Sequence, residues 1–85
     1  MSAYTLNKML REVNRNPKVR ERFFQSRAAV ADDFELTEDE RRAFLENDVG
    51  ALYRCGVHGL ILRPFTLLQN MPEPDYLSAI RGERP

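Results

Sequence analysis

Residues that usually build metal sites and disulfides are scarce in this chain. It has one cysteine, one histidine and no tryptophan among 85 residues. A single cysteine excludes a disulfide within the chain and a zinc site built on cysteines. Zinc and non-haem iron sites need several histidine, cysteine or carboxylate ligands that converge, and one histidine falls short of that set. The sequence therefore predicts no metal and no cofactor in this chain.

Motifs that carry enzymatic chemistry are also missing. The sequence contains no glycine-rich phosphate loop and no nucleophile elbow. Its acidic run from Glu38 to Glu40 lies in the first turn of a predicted helix, where the helix dipole favours negative side chains without any catalytic role. We therefore predict no catalytic residue, and an enzyme that acts alone is the least favoured function.

The single cysteine, Cys55, has two interpretations. It can pack as a small apolar side chain, as most unpaired cysteines do. Arg54 and His58 lie near it in the sequence, and basic neighbours lower the pKa of a thiol. A reactive thiol therefore stays open as the alternative, and a thiol titration separates the two.

Charge is balanced overall but unevenly placed. Residues 1–27 hold seven basic and two acidic side chains, a net of +5, and residues 28–48 hold two basic and eight acidic ones, a net of −6. The two blocks can neutralise each other within the fold or across a subunit contact. A nucleic-acid-binding domain is usually basic overall, so no nucleic-acid partner is predicted.

Neither a long apolar run nor a secretory signal pattern occurs in the sequence. No membrane partner is predicted, and a cytoplasmic location is expected. A length of 85 residues allows one domain, which we expect to span residues 1–85.

Apolar side chains recur with a helical period along almost the whole chain. Thr5 is a plausible N-cap of the first helix. In the second helix, Phe24 shares the apolar side with Val19 and Phe23. One face of the first helix is formed by Leu6, Met9, Leu10 and Val13, at positions i, i+3, i+4 and i+7.

Side chains that start helices recur between these apolar stretches. Asn16, Ser26 and Asp48 are predicted N-caps because their short polar side chains accept hydrogen bonds from free backbone N–H groups. Thr37 and Glu40 have the spacing of a capping box, in which each side chain bonds the backbone N–H of the other residue. Each of these residues predicts the start of a new helix.

A strongly apolar helix is predicted from about Gly59 to Asn70. Gly56, just before it, fits the left-handed position that ends the preceding helix. Apolar side chains cover most of the circumference of the new helix, so it lies centrally in the core or is covered by a partner. Pro64 removes one intrahelical hydrogen bond and is expected to kink the helix.

The predicted fold class is all-α, a compact single domain of five or six short helices whose last long helix is strongly apolar and kinked at Pro64. Pro72 and Pro74 are expected to end the regular structure, because proline cannot continue a helix. Residues 76–85 are then expected to form a loosely ordered tail. Within it, the segment from Asp75 to Ile80 is the candidate for one more helical turn, because Tyr76, Leu77 and Ile80 are apolar enough to dock on the body.

Four segments together resemble a known family. They are the segments 16–23, 36–43, 48–54 and 56–58, and the run Asp-Val-Gly-Ala-Leu-Tyr-Arg with Gly-Val-His close behind it is the most specific part. With the leucine-rich helix that follows, they look like the small (alpha) subunit of the extradiol protocatechuate 4,5-dioxygenases. The resemblance covers roughly residues 16 to 68.

The resemblance implies an all-helical fold and a division of labour between two chains. In that family the non-haem iron(II), the catalytic histidines and the catalytic glutamate belong to a separate large (beta) subunit. The small subunit packs on the large one and helps to close its active site. By the same resemblance, Tyr53, Arg54 and His58 are candidates for a position near the partner or the substrate.

The residues themselves leave alternatives open for these three positions. His58 precedes the apolar helix, so it is a helix cap, a contact to a ligand or partner, or, as a third alternative, a metal ligand. Tyr53 is expected in the core with its hydroxyl hydrogen-bonded. Arg54 is a candidate for an ion pair between subunits or for a carboxylate contact.

Two functions are therefore predicted from different classes. The first is a non-catalytic subunit of an extradiol ring-cleavage dioxygenase, with iron(II) in its partner. The alternative is a free-standing helical interaction module, or a homodimer that buries the apolar face between Leu60 and Leu68. Association with a large iron protein separates the two.

Overall fold

A computed structural model of the protein describes residues 2–82, and this part of the chain forms seven α-helices and no strand. The prediction of an all-α fold is confirmed, although the number of helices is seven instead of five or six. The helices are α1 (Ser2–Arg15), α2 (Pro17–Gln25), α3 (Arg27–Asp32), α4 (Glu38–Leu45), α5 (Val49–Arg54), α6 (Gly59–Leu67) and α7 (Glu73–Arg81).

Side-chain caps set the starts of four helices, as predicted. Asn16, Ser26 and Asp48 each accept a hydrogen bond from a backbone N–H two or three residues ahead, at 3.0–3.2 Å. At α4 the complete capping box forms: Thr37 Oγ1 accepts from the Glu40 N–H at 3.2 Å, and Glu40 Oε1 accepts from the Thr37 N–H at 2.9 Å. Local sequence therefore divides the chain into its helices. Thr5 is the exception, because α1 already begins at Ser2 and Thr5 lies inside it.

The core is built on one face of α1 and on three phenylalanine rings. Phe23 of α2, Phe44 of α4 and Phe65 of α6 are 0–2% exposed, and their ring centroids lie 5.4–6.1 Å apart. Aromatic pairs at such separations stabilise a core beyond their buried area. The α1 residues with no exposed surface are the predicted set, Leu6, Met9, Leu10 and Val13.

Arg27 fastens α3 to this ring cluster. Its guanidinium lies 4.5 Å from the centroid of the Phe23 ring and donates to the Phe44 carbonyl oxygen at 2.9 Å. It also donates to the Gln69 side-chain oxygen, beyond the end of α6. Partial burial lowers the pKa of Arg27, and the rings and carbonyl oxygens around it take the place of water.

The apolar helix differs from its prediction in length and place. It ends at Leu67, spans nine residues and is followed by α7, so it is neither long nor last. Leu62, Phe65 and Thr66 form its buried side, whereas Leu60 is 82% exposed and Pro64 is exposed. The hydrogen bond that Pro64 cannot make therefore falls on the solvent side of α6, where water can replace it.

Residues 76–81 form most of α7, so the helical turn expected at 75–80 is present and the prediction of a loose tail from residue 76 is wrong. Pro72 is the N-cap of α7 and Pro74 lies in its first turn, where the missing N–H of proline has no intrahelical role. Tyr76 is 8% exposed, and the Arg63 guanidinium lies 4.9 Å from the centroid of its ring. The two prolines thus begin a helix that packs against α5. The remaining tail residues, 83–85, lie outside the described part of the chain.

Two further sequence predictions about exposure are wrong. Phe24 is 58% exposed, although it was placed with Val19 and Phe23 on the apolar side of α2. Tyr53, predicted in the core, is 45% exposed, and its hydroxyl makes no hydrogen bond to any residue between 2 and 82. No helix within residues 2–82 has both the length and the apolar character needed to cross a membrane.

Candidate functional site

The connection between α5 and α6 is held against α1 by one side chain. The Asn7 amide donates through Nδ2 to the Gly56 carbonyl oxygen at 3.0 Å and accepts at Oδ1 from the His58 N–H at 2.8 Å. Gly56 has a φ of +106°, a conformation that favours glycine. The left-handed turn predicted at Gly56 is thereby confirmed, but nothing in the sequence pattern pointed to Asn7.

His58 is the N-cap of α6, which confirms the capping alternative. Its Nδ1 accepts a hydrogen bond from the Leu60 N–H at 3.2 Å. An imidazole nitrogen that accepts carries no proton, so the other nitrogen, Nε2, is the one that bears the hydrogen. The His58 side chain is exposed, and its Nε2 makes no hydrogen bond within the described structure. Capping therefore leaves one polar atom of the ring free for a further contact.

Arg54 and His58 have different surroundings. The Arg54 guanidinium lies over Gly50, with Nη1 3.1 Å from the place that a Cβ would take there. The Ala79 backbone of α7 approaches the same spot. His58 lies instead against α1, through Asn7. The structure therefore places Tyr53 and Arg54 in the last turn of α5 and His58 at the start of α6, all three exposed, but directs Arg54 and His58 toward different neighbours. Their role near a partner stays a prediction.

A surface groove separates α1 from α6 beside His58. It consists of two adjoining depressions of about 420 and 410 Å³ that share Arg11, Arg15 and Ile61 as walls. We call this feature the α1–α6 groove. Its α1 wall is formed by Tyr4, Asn7, Lys8, Arg11, Glu12, Asn14 and Arg15, and its α6 wall by His58, Leu60, Ile61 and Pro64.

The floor of the groove is closed by Asn14. Its Nδ2 donates to the Ile61 carbonyl oxygen at 3.0 Å, which joins α1 to α6. Its Oδ1 is buried without a hydrogen-bond partner in the described residues, a situation that costs about 1–3 kcal/mol. The unpaired Asn14 oxygen therefore offsets part of the stability that the contact between α1 and α6 provides.

The wall of the groove carries positive charge that the fold does not neutralise. Lys8, Arg11 and Arg15 are exposed, and none of them forms an ion pair with a residue in the 2–82 range. Between the basic and acidic blocks of the sequence, Arg22 with Asp33 is the pair that forms within the described part of the chain. Within the described residues the two charge blocks therefore neutralise each other only in part, and the basic side chains of α1 that line the groove form no ion pair.

The family comparison covers nearly the whole of this structure. The family model described as LigA, aromatic-ring-opening dioxygenase LigAB, LigA subunit, matches residues 6–84. The chain belongs to the LigA family. Searches of the curated proteins and of the solved structures find no match. The resemblance to a dioxygenase small subunit is confirmed, and the match extends beyond residues 16–68 to include most of α1 and all of α7.

A metal ion would need converging ligands from the LigA-family chain itself. Across residues 2–82, no three side chains of histidine, cysteine, aspartate or glutamate come together in a way that would hold a metal ion. The residues that the structure describes therefore do not fit the iron that a dioxygenase of this kind implies. We derive no catalytic step through a metal from them.

Cys55 does not have the surroundings of a reactive thiol in this LigA-family structure. It is half-buried at the C-cap of α5. Burial raises the pKa of the Cys55 thiol, and the negative charges of Glu40 and Asp39 raise it further, against a smaller opposite effect of Arg42 and Arg54. The thiol is therefore protonated at neutral pH, which favours the packing interpretation.

We expect Cys55 to react slowly with iodoacetamide. The rate should reach half its plateau at a higher pH in the folded chain than in the same chain in urea, because folding raises the thiol pKa. The matched control is Cys55→Ser, which removes the only thiol. A lower midpoint in the folded chain would contradict the assignment. Since the folded state holds the proton to higher pH, the thiol's contribution to stability is lost as pH rises from the unfolded to the folded pKa.

Proposed function

We propose that this chain is the small, non-catalytic subunit of an extradiol aromatic-ring-opening dioxygenase. It packs on a large subunit that bears non-haem iron(II) and helps to close the active site there. The observation that carries the proposal is the family match over residues 6–84. The family description itself names a subunit of a two-part enzyme, LigAB.

The surface of the chain supports a role in assembly. Leu60 is 82% exposed and lies beside His58 in one depression of the α1–α6 groove, and Tyr4 is 72% exposed and lines the other depression. Large apolar side chains grouped beside polar ones are typical of surfaces that bind another protein. Tyr53 and Arg54 are also exposed, in the last turn of α5. We place the contact with the large subunit, and the approach to its catechol-type substrate, on this side of the molecule.

Coexpression tests the proposal. The chain should copurify with the extradiol large subunit encoded nearest to it in the genome. With iron(II) present, the two together should open a catechol-type ring faster than the large subunit alone, and the chain alone should show no turnover. A chain that elutes alone in the presence of the large subunit would contradict the proposal.

The homodimer alternative rests on the exposed Leu60 and Leu67 of α6. Light scattering distinguishes it, because a stable dimer of this chain that does not bind the large subunit is the result expected from a free-standing interaction module. Turnover of a catechol by the purified chain with iron(II) would instead favour an independent enzyme.

Variants of His58 separate capping from contact. His58→Ala removes the hydrogen-bond acceptor for the Leu60 N–H and should cost about 1 kcal/mol of stability. His58→Asn keeps a good cap and should stay within about 0.5 kcal/mol of the original chain, but it removes the imidazole. If the ring contacts partner or substrate, the asparagine variant should lower the affinity for the large subunit or raise the KM of the complex. Binding and KM equal to those of the original chain would leave His58 as a cap alone.

A further inference from the structure

Resting on the proposed function, we infer that the α1–α6 groove is the docking site for an acidic segment of the large subunit. That segment inserts an apolar side chain beside Leu60. Its carboxylates face Lys8, Arg11 and Arg15.

The first support is the arrangement of the basic side chains. Lys8, Arg11 and Arg15 follow one another at spacings of three and four residues, so they share one face of α1. Tyr4 begins the same row, which extends over about 16 Å of helix. Glu12, which also lines the groove, forms no ion pair with them in the described structure. Bare guanidinium groups in a row favour a partner that brings carboxylates.

The second support is the apolar side of the same groove. Leu60 is 82% exposed in the first turn of α6, two residues after the His58 cap. Ile61 and Pro64 form the wall below it. An exposed leucine between a histidine and two arginines provides an apolar centre with a polar rim, the usual composition of a protein interface. The groove is open along its length, which suits a polypeptide segment better than an enclosed small molecule.

Charge also selects the acidic partner over the other occupants. In a two-fold dimer formed through this groove, each basic row would face its own copy, and like charges would repel. A nucleic acid would meet only three basic residues with Glu12 among them, on a chain of zero formal net charge. An acidic protein surface is attracted by the basic row. It avoids the like-charge repulsion of a dimer, and it needs fewer basic residues than a nucleic acid does.

The closing experiment measures the Kd of the full chain for the large subunit at about 50 and 300 mM NaCl. Two groove variants are compared: the double variant R11E/R15E, which reverses the charge, and Leu60→Ser, which removes the apolar centre. The matched controls are Lys18→Glu and Leu67→Ser, which change an exposed base and an exposed leucine away from the groove. Circular dichroism confirms that each variant folds.

Each groove variant should raise the Kd at the lower salt by at least about tenfold, and both controls should stay within about twofold. The R11E/R15E variant should also lose or reverse the salt dependence of the original chain, because attraction to the carboxylates becomes repulsion, which salt weakens. Hydrogen exchange of the complex should show protection at residues 4–15 and 58–64.

A wrong groove assignment and a wrong proposed function would give different results. If the original chain binds and the groove variants bind equally well, or if the protection falls elsewhere, the groove assignment is overturned while the proposed function stands. If the original chain does not bind the large subunit, both are overturned. Self-association or retention of a DNA duplex that R11E/R15E abolishes would overturn the choice of partner.

Discussion

Replacing Phe65 by alanine should lower the free energy of unfolding by about 3–5 kcal/mol. The Phe65 ring has no exposed surface and lies 5.4 Å from Phe23 and 6.1 Å from Phe44, between centroids. Alanine removes the buried ring and leaves a cavity between α2, α4 and α6, which these helices cannot fill completely by moving closer together. A domain of this length has about 4–13 kcal/mol of total stability, so the loss is a large share of it.

Urea denaturation followed by circular dichroism measures this loss. The matched control is Phe24→Ala, since Phe24 is 58% exposed on the helix that also carries Phe23, and it should change stability by about 0.5 kcal/mol or less. Should Phe65→Ala fail to fold, Phe65→Leu keeps most of the volume and should cost about 1.5 kcal/mol or less. A loss below about 1 kcal/mol for Phe65→Ala would show that the ring cluster is not the centre of the core.

Replacing Gly50 by alanine is the second large effect, at about 1–3 kcal/mol of lost stability. A Cβ at Gly50 would lie 2.6 Å from the Ala79 carbonyl oxygen and 3.1 Å from Arg54 Nη1. The arginine can swing away, but the carbonyl belongs to the backbone of α7 and moves only with that helix. We therefore expect α7 to separate from α5 in the variant.

Thermal denaturation combined with hydrogen exchange tests this result. In Gly50→Ala, hydrogen exchange at residues 73–81 should be faster than in the original chain, and this increase should be larger than in the other helices. Gly59→Ala is the matched control, because nothing lies within 4 Å of its Cβ position and its φ is not positive. It should be neutral or stabilise the chain by up to about 1 kcal/mol. Equal effects at the two glycines would mean that α7 does not pack on Gly50 in solution.

Features that depend on a few neighbouring residues were predictable. The caps at Asn16 and Asp48 and the box at Thr37 and Glu40 form as expected, because each is a hydrogen bond between residues two or three apart. The inner face of α1 follows from periodicity in the same way. These interactions need no knowledge of the tertiary structure.

Features that depend on which helices meet were not predictable. Tyr53 and Phe24 fit an apolar face in sequence, yet no neighbouring helix covers them. Pro72 and Pro74 fit the end of one helix as well as the start of another, and packing of Tyr76 against the body decides for the start. Periodicity shows that a face is apolar, but it does not show what lies opposite.

The same distinction between local and tertiary features applies to the candidate site. His58 as a cap was open to sequence reasoning because its partner, Leu60, is two residues away. The α1–α6 groove was not, because its two walls are more than forty residues apart in the chain and come together only when α1 packs on α6 in the folded structure. Bare charge on α1 becomes visible only when the ion pairs of the fold are known.

The contact between α1 and α6 also affects how the chain folds during synthesis. The first helix leaves the ribosome before the segment that covers it exists, since α6 ends 52 residues after α1. At about 5–20 residues per second, this delay lasts roughly 3–10 s. For that time Leu6, Met9, Leu10 and Val13 face water or a chaperone. These four side chains therefore expose the nascent chain to aggregation until α6 packs on α1 and Asn7 and Asn14 form their bonds near α6.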